Sequence, residues 1–194
     1  MSSNSLLLEA IQFTSLRNNK AVFKAIDLEV KSGECHQLLG ANGAGKSSCL
    51  LALAGLISGT NIRLTSSISY LGHSNNLYQN LTVLETYNYW QIHTRFLTVK
   101  CSLLPDNSLV KNLSSGQKRY LAWQRLKYEA NSIWLLDEPL ANLDQIFRTK
   151  VLQDAKDHLT NNGAIIIASH TDYWSELITH RHEISGPTAE DFYE

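Results

Sequence analysis

The sequence predicts an α/β fold: a mixed sheet with an N-terminal antiparallel section and a small helical subdomain beside it. Three observations carry this. Residues 133–136 and 164–168 are short, unbroken apolar runs, the composition of central parallel strands buried on both faces. Helix-like stretches alternate with strand-like runs along the chain. The glycine-rich segment Gly40-Ala41-Asn42-Gly43-Ala44-Gly45-Lys46-Ser47 stands between a strand-like and a helix-like run. No repeat, low-complexity tract or Pro/Gly-rich linker divides the chain, so residues 1–194 are read as one domain.

The elements follow in order. Residues 6–13 and 25–30 read as strands of the antiparallel section, and residues 35–39 as the strand that feeds the glycine-rich segment. His36 and Gln37 make that strand more polar than a buried strand should be, and the sequence supplies no account of them. Residues 45–56 are expected as the next helix, closed near Gly55 and Gly59. Residues 68–71 are a short strand. Residues 81–96 have a helical pattern, with Thr82 as N-cap and Glu85 three positions on, a capping-box arrangement. Residues 115–130 form a further helix, and residues from about 74 to 130 make up the helical subdomain. After His170 only a short tail is expected.

Composition excludes several classes. With 43% hydrophobic residues in 194, the chain can bury one real core. A formal net charge of -1 leaves no basic excess, so nucleic acid is not an expected partner. The longest apolar stretch, residues 49–57, is far short of the roughly 18 residues that suggest a membrane span. Residues 1–9 lack the pattern of a secretory signal. Cys35, Cys49 and Cys101 show no CxxC spacing and read as thiols in a reducing compartment.

The segment from Gly40 to Ser47 matches the phosphate-binding pattern GxxxxGK[ST]. Its glycines let the backbone N–H groups curl around a phosphate, and the following helix adds the positive end of its dipole. Lys46 is placed to reach the β- and γ-phosphates, Ser47 to ligate Mg2+, and Ser48 to join the ATP-binding set. Residues 133–138 then deliver two acids to the end of a buried strand: Asp137 for Mg2+ and Glu138 to polarise an attacking water. His170 follows another buried strand, where it can contact a γ-phosphate. Taken alone, a histidine in that place is more often structural.

Leu113-Ser114-Ser115-Gly116-Gln117 resembles the LSGGQ signature of ABC ATPases, and Leu140-Ala141-Asn142-Leu143-Asp144 looks like their D-loop. The resemblance covers essentially the whole chain in the family's motif order. It implies an ATPase that uses ATP and Mg2+ and works as a head-to-tail homodimer. Ser114, Ser115, Gly116 and Gln117 of one copy would face the triphosphate of the other, with Asp144 in the D-loop. Two positions depart from the family pattern. His73 stands where a glutamine is usual, and Arg17 where an aromatic ring usually stacks on adenine; either could still contact ATP. With Gly72 and the Ser-for-Gly signature, these resemble the subgroup that serves cytochrome c biogenesis, the haem-exporter ATPases. That likeness implies integral membrane subunits of a cytochrome c maturation system as partners, and no direct haem binding. It implies a peripheral location on the cytoplasmic face of the inner membrane, or on the matrix face in mitochondria. The ATPase of another small ABC exporter is the alternative. The stretch from His73 to Trp90 would grip the membrane partner, though Tyr87 and Trp90 read equally as core aromatics.

Overall fold

The computed structural model describes residues 5–18, 20–94, 103–129 and 132–187. In chain order its strands and helices are β1 (Leu6–Phe13), β2 (Leu16–Arg17), β3 (Lys20–Ala21), β4 (Ile26–Lys31), β5 (Cys35–Leu39) and α1 (Lys46–Leu53). Then come β6 (Ile62–Leu64), β7 (Ile68–Leu71), α2 (Val83–Thr94), α3 (Ser115–Glu129) and β8 (Ile133–Asp137). The last are α4 (Gln145–Thr160), β9 (Ala164–Ala168) and β10 (His180–Glu183). No described helix is long and apolar enough to cross a membrane.

A five-stranded sheet of order β10-β5-β9-β8-β7 forms the centre, and all its pairings are parallel. A three-stranded antiparallel sheet, β4-β1-β6, packs beside it. Alternation explains the unbroken apolar runs. Ile133 and Leu135 of β8 and Ile166 of β9 face a core shared with α1 and the antiparallel sheet. Trp134 and Leu136, with Ile165 and Ile167, face a second core built with α2, α3 and α4. Each strand is therefore wet on neither face. Burying each such side chain contributes about 1.5–3 kcal/mol.

The strands at 6–13, 35–39, 68–71 and 164–168 stand where the pattern places them. The helix expected over 45–56 is shorter. Gly55 adopts a left-handed φ of 71°, and its N–H donates to the Ala52 carbonyl (3.0 Å) while Leu56 N–H donates to Leu51 (2.9 Å). This Schellman closure ends α1 at Leu53. The capping box at α2 is present in both directions. Thr82 N–H donates to Glu85 Oε2 (2.7 Å), and Glu85 N–H donates to Thr82 Oγ1 (3.1 Å). Residues 95, 96, 130 and Cys101 lie outside the described residues.

Two elements correct the sequence reading. Residues 145–160 form α4, capped by Asp144, whose carboxylate accepts from Phe147 N–H (2.9 Å). The stretch after His170 is not only a tail, because His180–Glu183 adds an edge strand parallel to β5. An edge strand half open to water needs no apolar run, so its polar sequence carries no strand pattern. Tyr87 and Trp90 are core aromatics, 3% and 8% exposed; the exposed rings on that surface are Tyr78 and Tyr89. Cys35 and Cys49 are buried, and burial pushes both thiols up to about 12, which leaves them inert.

His158 of α4 stacks on Trp134, with ring centroids 3.8 Å apart and planes 6° from parallel, and its Nε2 lies 3.3 Å from the Ala164 carbonyl. Burial lowers its pKa from 6.5 to about 4. Between those values the unfolded chain binds the proton and the folded chain does not, so stability falls as pH drops through that window and is complete above it. We expect His158→Phe, which keeps the stack, to remove this loss. At pH 4.5 the urea midpoint of the wild type should have fallen relative to the variant by the equivalent of about 2–3 kcal/mol. Parallel pH curves for the two proteins would contradict this.

Candidate functional site

A cleft of about 490 Å³ opens at the C-terminal ends of β5 and β8, where ligands collect in parallel α/β sheets. Asn42, Gly43, Gly45, Lys46, Ser47 and Ser48 form one wall, and Asp137, Glu138 and His170 another. Arg17 and Val22 from the N-terminal section and His73 from the loop after β7 complete the rim. Candidates from separate stretches of sequence thus meet in one place. Gly40, Ala41 and Ala44 do not line it. Ala44 is buried in the core below, and Gly40, at φ 138°, packs so closely under the Ile184 carbonyl that any Cβ would collide.

The N-terminus of α1 suits an anion. Its N-cap is Gly45 in the left-handed region (φ 105°), with no side-chain cap, so the first N–H groups of the helix keep no side-chain acceptor. Lys46 Nζ donates to the carbonyls of Gly40 (2.7 Å) and Ala41 (3.0 Å), folded over its own loop. A phosphate would offer that ammonium a charged acceptor in place of two neutral ones.

The acidic wall is held from behind. Asp137 is 7% exposed at the end of β8, and Glu138 follows in a left-handed conformation (φ 44°) rare for a residue with a side chain. Glu138 N–H donates to the Ala168 carbonyl (2.9 Å). Its carboxylate accepts from His170 N–H (3.2 Å) at Oε1 and from the Ser169 hydroxyl (3.3 Å) at Oε2. The His170 ring lies 3.9 Å from Oε1. Buried Gln37 donates to the Ser169 carbonyl (3.1 Å), which accounts for a polar residue in β5: it fastens the turn that aims Glu138. Ser47 and Asp137 supply hydroxyl and carboxylate oxygens, the hard donor set that suits Mg2+.

Arg119 is the residue that sequence reasoning missed. It lies on α3, is 4% exposed, and donates to five acceptors. These are the carbonyls of Pro139 (3.2 Å), Gly72 (2.7 Å), Asp137 (2.7 Å) and Glu138 (3.0 Å), and Asn75 Oδ1 (3.2 Å). Burial lowers its pKa to about 10, so it stays charged at neutral pH. One guanidinium therefore ties α3 to the acidic turn and to the loop that carries His73. Nothing in its pattern separates it from its neighbour Lys118, whose ammonium donates to the Lys111 carbonyl (3.0 Å).

The residues from Ser114 to Gln117 do not line this cleft. Ser114 and Gln117 cap α3 reciprocally: Ser114 N–H donates to Gln117 Oε1 (2.9 Å), and Gln117 N–H donates to Ser114 Oγ (3.2 Å). Ser114 and Ser115 are exposed, whereas Gly116 is buried. A Cβ on Gly116 would meet the Asn142 carbonyl at 2.6 Å, so its small size serves packing within the chain.

A phosphate-binding loop, an acidic strand end and a separate exposed helix start, on a parallel sheet with an antiparallel sheet beside it, define an ATP-binding cassette. The family model described as ABC transporter matches residues 23–141. Among curated relatives, "Cytochrome c biogenesis ATP-binding export protein CcmA" of Idiomarina loihiensis is 32% identical over 191 residues, covering 87% of this chain and 88% of the relative. The protein of the same name in Xanthomonas campestris pv. campestris is 34% identical over 188 residues (86% and 88%), and that of Rhodobacter capsulatus 31% over 175 residues (86% and 82%). Among solved structures, the ATP-binding subunit of an ABC transporter superposes with a TM-score of 0.79 at 17% identity, covering 92% of this chain and 86% of that one. An ATP-binding cassette in its ADP conformation gives 0.74 at 14%, covering 93% and 88%. The chain belongs to the ABC transporter family as an ATP-hydrolysing, ATP-binding subunit, on its CcmA branch.

Proposed function

We propose that this chain is the ATPase of a membrane complex for cytochrome c biogenesis, driving haem export or release of a haem-loaded chaperone. The observation that carries the reading is the cleft that gathers Lys46, Ser47, Asp137, Glu138 and His170 at the C-terminal ends of the central strands. The names of the CcmA relatives supply the pathway. ATP would lie with its phosphates over the N-terminus of α1, Lys46 turned outward onto the β- and γ-oxygens, and Arg17 and His73 at the rim. Ser47 and Asp137 would hold Mg2+, which supplies charge neutralisation at the phosphates. Glu138, fixed through Ser169 and His170, orients and deprotonates the water.

The exposed start of α3 supports a two-copy mechanism. Ser114 and Ser115 lie outside their own cleft, so a second copy placed head to tail brings them and a helix dipole to the γ-phosphate. Hydrolysis removes the shared contacts and the pair opens. Integral subunits would dock on the helical side, in the groove lined by Asn76, Tyr78, Tyr89 and Arg125, with the protein at the cytoplasmic face. No haem contact is part of this reading. Deleting the gene should eliminate mature c-type cytochromes and spare b-type ones. Unchanged c-type levels would overturn the pathway and leave the ATPase of another small exporter.

A further inference from the structure

Far from the ATP cleft, at the entry end of β5, period two brings four metal-ligating side chains onto the β5–β10 pair. Glu34 immediately precedes β5 and His36 lies two residues on, while His180 and His182 lie two apart on β10, with His180 in register with His36. Glu34, His36 and His180 each bring a ligand atom within 4.8 Å of the others. His36, 1% exposed, places Nε2 3.0 Å from Glu34 Oε2 and Nδ1 2.9 Å from His182 Nε2. The ring of His36 stacks on those of His180 (4.5 Å) and His182 (5.2 Å). We infer that Glu34, His36 and His180 bind a divalent first-row transition ion of the zinc type, which staples β10 to the P-loop strand.

The chemistry fits that class. Two imidazoles and one carboxylate are borderline ligands that favour zinc-like ions over Mg2+ or Ca2+, and exposed His180 leaves a way in and room for a water. Tetrahedral zinc holds its ligand atoms roughly 3.3 Å apart, so the 3.0 Å contact between His36 and Glu34 needs only a small opening. The ion takes the Nε2 lone pair of neutral His36, whose one proton then sits on Nδ1 and is donated to His182 Nε2. Neighbouring groups orient the ligands. His182 sits behind His36 Nδ1, Thr179 Oγ1 holds His180 Nδ1 (2.9 Å), and Lys31 N–H holds Glu34 Oε2 (2.7 Å). The Lys31 ammonium pairs directly with Glu29 (2.7 Å) and acts on Glu34 only as the weakest of its charge interactions. This also explains why β5 carries a buried histidine.

The test uses the full chain, stripped with a chelator and free of nucleotide, with Zn2+ alone as the probe. Calorimetric titration should give one ion per chain. Zinc at a hundredfold excess over Kd should raise Tm by about 5–10 °C. Because His36→Ala removes a buried side chain and can fail to fold, the decisive variants are His180→Ala and Glu34→Gln. Both should fold with wild-type Tm in chelator and bind zinc at least tenfold more weakly; His182→Ala should weaken it about 10–100-fold. His180→Ala should keep its ATPase rate. No thermal shift in the wild type, or an undiminished one in His180→Ala, would overturn the site.

Discussion

Glu138→Gln should lower ATP turnover by roughly 10²–10³-fold while leaving ATP binding intact. Geometry is the reason for the separation. The glutamine oxygen can still accept from His170 N–H, and its NH2 can donate to Ser169 Oγ in place of the contact that Oε2 now accepts. The side chain keeps its aim and loses its basicity. With hydrolysis blocked, the ATP-bound pair should accumulate, visible by size-exclusion chromatography with ATP and absent with ADP. A variant that turns over at the wild-type rate would remove Glu138 from the role of general base.

Arg119→Met should destabilise the fold by about 3–5 kcal/mol, a large share of the 5–15 kcal/mol typical of a native domain. Methionine fills much of the volume but takes this donor from the buried carbonyls of Gly72, Asp137 and Pro139 and from the half-buried Asn75 amide oxygen, while the Glu138 carbonyl keeps the Ala141 N–H (3.1 Å). Each buried unsatisfied acceptor costs about 1–3 kcal/mol, offset where the loop relaxes to admit water. The loss should also reach the site, since the acidic turn and the His73 loop share this one anchor. Arg119→Lys should lie between, keeping the charge without the planar fork that reaches both sides. Urea unfolding followed by circular dichroism measures all three; a loss under about 1 kcal/mol for the methionine variant would show that the anchor is not structural.

Much of the site is legible in the sequence because its chemistry is local. Gly40 to Ser47 must be contiguous to wrap one phosphate, and the acids at 137 and 138 must sit at the end of an apolar run. Helix caps also follow local rules, and Thr82 with Glu85 is recognisable on sight. Asp144 caps α4 by the same rule, but the D-loop motif already claims that aspartate, so the helix behind it goes unmarked. His36 and Gln37 show the limit most directly. Their partners, His182 and Ser169, stand 146 and 132 positions away in sequence.

From the sequence alone come the α/β class, the buried central strands, the phosphate loop and the acids, because periodicity, spacing and residue type are short-range properties of the chain. Only the tertiary structure decided that β10 pairs with β5, that Arg119 joins α3 to the acidic turn, and that Gly116 is small to admit the Asn142 carbonyl. Those outcomes depend on which backbone atoms meet across the fold, and long-range contact leaves no periodic trace in one sequence.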